Sequence, residues 1–160
     1  MQTTRTIYDN YLLPPGAANS IRFAGFFDPV HAMGLPGAQW NLGYHTADIA
    51  PNVQHAYVAY AANERRLPFA QTDIPSATSV IFPGVHSDVG GGNGNIGLND
   101  TSFRWMLNMA SSSGLQFSPV TLNPNPNAPP NPVEKWYFPE GNRTFPPYAQ
   151  NYSGAMLSKH

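Results

Sequence analysis

An imidazole and a carboxylate, His86 and Asp88, stand just behind the apolar run Val80-Ile81-Phe82, which Pro83-Gly84 cuts off; Gly90, Gly91 and Gly92 follow them. A β-branched and aromatic run ending this way reads as a buried strand of a parallel sheet at its carboxyl end. Ligands of open α/β sheets bind just outside those ends, so His86 is delivered there, on a glycine-flanked loop, where it can move protons. Asp28 has the same setting, as the first residue past Ser20-Ile21-Arg22-Phe23-Ala24-Gly25-Phe26-Phe27, with Pro29 as the break. Plainer roles compete. A loop histidine often serves only as a hydrogen-bonding residue. Asp28 can cap the turn at Pro29 by accepting backbone N–H bonds, and Asp88 reads best as such a cap within the glycine loop. The glycines supply positive φ angles or close helix–sheet packing, or offer backbone N–H groups to an anion. Ser87, Gly90 and Gly91 are on this basis the expected substrate contacts.

These residues require a parallel sheet to position them. Between the two strands, residues 52–66 predict a helix: Val53, Ala56, Tyr57, Tyr60 and Ala61 fall at the three-and-four spacing. Glu64, Arg65 and Arg66 then close that helix as a solvated end, and Pro68 stops it. Strand, helix and strand at this spacing make a βαβ crossover between adjacent parallel strands. A further helix is expected from a cap at Asn99 or Asp100 to about Ser112. Phe103, Met106, Leu107 and Ala110 form its buried stripe, and Gly114 its left-handed terminus. The domain organisation expected is a lead-in at 1–19, a core at 20–117, a proline- and asparagine-rich connector at 118–133 and an extended aromatic tail at 134–160, including Trp136, Tyr137, Phe138, Phe145, Tyr148 and Tyr152. His31, His45, His55 and His160 have no evident partner and are expected to be structural or exposed.

Composition narrows the function classes. The 160 residues suit one domain with a real core. Eight basic against nine acidic side chains give a net charge of -1, which argues against a phosphate-backbone partner, so no nucleic acid is expected. No apolar run is long enough to span a bilayer, and no export signal opens the chain, which assigns it to the cytoplasm by default. The absence of cysteine excludes disulfides, thiolate metal sites and a cysteine nucleophile. Only 11% of residues are charged, low for a freestanding domain, so part of the surface is expected to be covered by another chain.

Several segments, in order, resemble the DUF2235 family, which includes the Tle1-type phospholipase effectors of the bacterial type VI secretion system. They are Phe26-Phe27-Asp28-Pro29-Val30, His55-Ala56-Tyr57 leading to Glu64-Arg65-Arg66, Phe82 through Gly92, and Gly97-Leu98-Asn99-Asp100 before Arg104-Trp105-Met106-Leu107. The likeness spans roughly residues 20–115. It implies an α/β fold, a partial α/β-hydrolase-like parallel sheet with crossover helices, to which the aperiodic tail adds an irregular C-terminal strap, with Asp28 as triad acid and His86 as triad base. The family's acidic residue near the helix end is replaced here by Asn63. The departure is the nucleophile: the family's serine sits in a G-x-S-x-G elbow on an earlier strand, and this chain has no such motif. Ser87 adjoins His86 in sequence, a poor placement for triad geometry.

Three readings follow. In the first, the chain hydrolyses carboxylic esters or lactones, lipid-like or small, with Asp28 orienting His86 and His86 activating water or a nucleophile supplied elsewhere; no cofactor is required. In the second, calcium assists, held by Asp28 and Asp88 near Asn93, Asn95 and Asp100. In the third, the chain is a non-catalytic truncated or split half that associates with itself or with a complementing N-terminal hydrolase half.

Overall fold

The computed structural model describes residues 20–30, 49–133 and 140–157. The lead-in at 1–19, His31, His45, Trp136, Tyr137, Phe138 and His160 lie outside them. Four parallel strands form one sheet in sequence order: β1 (Ile21–Phe27), β2 (Val53–Ala61), β3 (Thr78–Phe82) and the two-residue β4 (Gln150–Asn151). After β3 come a short helix α1 (His86–Gly90) and a long helix α2 (Ile96–Ser112).

The segment expected as a helix is therefore the central strand, β2. Its alternate residues serve opposite faces of the sheet. Ala59 and Ala61 join Val80, Phe82, Val89, Trp105 and Met106 on one side, with Tyr57 packed against them. Val58 and Tyr60 join Ile74 and Ala77 on the other, with Ala56, Ile81 and Phe145. A strand buried on both faces is apolar almost throughout, and such a run satisfies a three-and-four spacing by accident. Valines and tyrosines, which favour strands, decided the outcome. The β2–β3 crossover is accordingly not an α-helix: it is irregular, with one 3-10 turn at Leu67–Phe69. A true helical crossover joins β3 to β4.

Helix α2 covers the first face through Trp105 and Met106, which are 2% and 4% exposed. Its contact with β1 is close: a Cβ on Gly25 would stand 2.7 Å from the Met106 sulfur. The helix begins before Asn99, with Asn95 as its flanking residue. It ends as expected at Gly114, whose φ is +89°. There Leu115 N–H donates to Ala110 O and Gly114 N–H to Ser111 O, the paired bonds of a left-handed cap. The connector at 118–133 carries no strand or helix. The tail beyond it reaches both faces: Phe145 meets the Tyr60 ring at 6.0 Å on the second, Tyr152 meets Phe82 at 5.0 Å on the first, and β4 adds to β3.

Candidate active site

Asp28 ends β1 in a left-handed conformation, φ +43°, uncommon for a residue with a side chain. Its N–H donates to Ala59 O (2.7 Å), which keeps the turn bonded to β2. This turn aims the carboxylate inward, where it is fully buried. Oδ1 accepts the Ala61 N–H at 2.9 Å.

His86 arrives from β3 as the first residue of α1. The turn before it is built on Gly84, at φ +120°, where a Cβ would lie 2.5 Å from the Asp88 Cβ. Only glycine fits both the angle and the space. Asn63 holds this turn from both sides: its Oδ1 accepts the Gly84 N–H (2.8 Å) and its own N–H donates to Gly84 O (2.9 Å). Asn63 thus has a positioning contact where the family pattern has an acid.

The two side chains meet. His86 Nδ1 lies 2.7 Å from Asp28 Oδ2. The carboxylate is fully buried and the ring 29% exposed. The strands expected to be neighbours are not adjacent, however: the segment expected as their crossover helix is itself the strand β2, which lies between β1 and β3. Phe69 packs edge-on to the imidazole at 5.1 Å, and the Arg66 guanidinium stacks 3.7 Å over Phe69.

Two further ionic residues, neither assigned from sequence, complete the surroundings. Arg143, from the tail, spans the Asp28 carboxylate with Nη1–Oδ1 at 2.5 Å and Nη2–Oδ2 at 2.9 Å. It also donates to the carbonyls of Ala61 and Phe69. Glu64 is 1% exposed and takes the Arg66 fork, Nε–Oε1 at 2.9 Å and Nη2–Oε2 at 2.8 Å, together with the His86 N–H at 3.2 Å. The expected solvated helix end at Glu64–Arg66 is instead an ionic floor under the histidine. Burial alone would raise the Asp28 carboxyl; hydrogen bonds from His86 and Arg143, the Arg143 charge and the Ala61 N–H outweigh it and hold the group below its ordinary value. Burial likewise opposes ionisation of Glu64, but the Arg66 side chain and N–H, the His86 N–H and the Arg66 charge pull it down to about 2.

Asp88 is a structural cap. Its Oδ2 accepts the Val85 N–H (3.0 Å) and the Asn131 N–H (2.9 Å), and its Oδ1 the Asn93 amide (2.6 Å). Asp28 as a calcium ligand would set the ion against the Arg143 guanidinium, so this donor set does not suit a cation. Among the described residues no three histidine, aspartate or glutamate side chains gather as a metal cluster. Of the expected substrate contacts, Gly91 already donates its N–H to Ser87 O (2.9 Å), Gly90 is exposed, and Ser87 is half-buried on α1. His55 is an exposed residue of β2. No helix among the described residues is long and apolar enough to cross a membrane.

No curated protein and no solved structure matches the chain. One family model does, over residues 14–109, a span holding Asp28, β1 to β3, His86 and most of α2 but not Arg143. That match covers more than half the sequence: the chain belongs to the family of T6SS phospholipase effector Tle1-like catalytic domains.

Proposed function

We propose that the chain hydrolyses carboxylic esters or lactones, lipid esters foremost, with His86 as general base and Asp28 as its orienting acid. The observation that carries this reading is the 2.7 Å contact between a partly exposed imidazole and a fully buried carboxylate at the carboxyl ends of the sheet. A carboxylate bonded to Nδ1 favours the tautomer with the proton there and leaves Nε2 as the proton acceptor. The nucleophile is then water, or a hydroxyl supplied from outside these residues; the 160 residues carry no elbow serine. The test is hydrolysis of a short activated ester and of a phospholipid by the purified chain. His86→Ala should remove the activity, general-base help being worth ~100- to 10,000-fold, while Ser87→Ala should keep most of it. A serine-directed phosphonate should leave the protein unlabelled. Full activity in His86→Ala, or a labelled serine, overturns the mechanism.

A second reading has its own support. Strand β1 is the terminal strand of the sheet among the described residues, and the outer edge of such a strand offers a row of backbone donors and acceptors. A complementing N-terminal hydrolase half, or a second copy of the chain, would lie against that edge. Activity appearing only when the two halves are mixed, or only in a dimer, favours it; an active monomer at micromolar concentration removes it.

A further inference from the structure

We propose that Arg143 is the positioning and charge-balancing residue of the Asp28–His86 pair. It would let the carboxylate orient the imidazole without also having to hold it as an imidazolium. The catalytic meaning of this rests on the hydrolase reading; the contact itself does not.

A fully buried carboxylate must be paired. Two partners reach Asp28: His86, whose charge is optional, and Arg143, whose charge is permanent. Were His86 alone there, neutralising Asp28 would fall to the ring, and a protonated ring accepts no proton from water. Arg143 removes that demand. Its fork covers both carboxylate oxygens at 2.5 and 2.9 Å, its side chain is 5% exposed, and the carbonyls of Ala61 and Phe69 hold the remaining geometry. Such bidentate pairing fixes a carboxylate's plane as well as its charge.

The other charged groups around His86 are already engaged. Glu64, on the β2–β3 crossover, takes the His86 N–H but is saturated by Arg66. Arg66 stacks on Phe69, between it and the ring. Asp88, on α1, gives its oxygens to Val85, Asn93 and Asn131. Arg65 and Glu140 face each other at 3.9 Å in a solvent-exposed pair. Arg143 is therefore the cation set on Asp28, and it lies beyond the family span.

The experiment is an NMR titration of the His86 ring nitrogens in the full chain, for the unmodified protein and for Arg143→Met, Arg143→Gln and Arg143→Lys. Losing the guanidinium leaves Asp28 to His86 alone. The midpoint of His86 should then rise, because the buried carboxylate is left with the imidazolium as its remaining cationic partner. Arg143→Lys keeps the charge and should bring the midpoint back towards the starting value; a merely structural role predicts no such rescue. Should the methionine variant fail to fold, the glutamine variant, which retains donors for the two carbonyls, carries the same expectation. An unshifted midpoint in either folded neutral variant overturns the proposal. The titration needs no substrate. A shift in a chain that hydrolyses nothing would sink the hydrolase reading and leave the role of Arg143 standing, and activity without the shift would do the reverse.

Discussion

Glu64→Gln should destabilise the protein most at neutral pH and hardly at all in strong acid. The Glu64 carboxyl is buried and held near 2, against an ordinary 4.5. A group depressed on folding contributes stability above its unfolded value and loses it as pH falls through its folded value. At pH 7 the displacement is worth about 3 kcal/mol, from about 1.4 kcal/mol per unit; near pH 2 less than about 1 kcal/mol remains. Both partners are well shielded, Arg66 at 14% and Glu64 at 0% side-chain exposure, so solvent screening takes little away. Urea unfolding of wild type and variant at pH 7, 4 and 2.5 measures this directly. The gap should close steadily between pH 4.5 and 2. A gap that stays constant with pH, or is absent at pH 7, would show that the Arg66–Glu64 fork does not act as a buried ion pair, and would remove the ionic floor from under His86.

Asp28→Asn should lower hydrolysis clearly but less than His86→Ala, measured as kcat/KM on an activated ester. Asparagine accepts the left-handed backbone at this position, so the loss reports the carboxylate and not a broken turn. Gly84→Ala should cost at least about 1–3 kcal/mol in urea unfolding, for a side chain forced to φ +120° and against Asp88; a neutral result would mean that the turn before His86 is not set by sterics. EDTA should change neither the activity nor the melting temperature, and loss restored by calcium would move Asp28 and Asp88 from pairing to ligation.

The parts of this fold that were readable in the sequence are those whose cause is local. Val80-Ile81-Phe82 followed by Pro-Gly, and Phe26-Phe27 followed by Asp-Pro, mark strand ends by composition alone, and thereby put Asp28 and His86 at the same end of the sheet. Gly114 announces a helix terminus, and Asp88 beside the glycines reads as a cap, though the partner it caps, the Val85 N–H, does not show in the sequence. What failed was β2, because burial on both faces erases the alternation that distinguishes a strand from a helix. Arg143 and Glu64 failed for a different reason. An arginine among prolines looks like any surface charge until the fold brings it to a carboxylate 115 residues away, and Glu64-Arg65-Arg66 looks like a helix end if β2 is taken as a helix. A buried ion pair leaves no period in a sequence. The one hint was arithmetic: with so few charged residues, each is more apt to have a specific partner.

The tie between Arg143 and Asp28 also orders events in time. Strands β1 to β3 and both helices lie within residues 21–112, so their contacts can form once that part of the chain has emerged from the ribosome. Arg143 and β4 come later, at synthesis rates of about 5–20 residues per second, and closing so long a loop carries an entropic cost that grows only slowly with its length. The scaffold can thus assemble first and the ionic centre last. A protease that cuts the exposed, proline-rich connector after folding would sever the covalent tether of Arg143 while leaving β1, β2, β3 and α2 joined. In such a nicked chain the guanidinium stays in place only as tightly as the tail binds by itself, and dilution would become a means of switching the site off.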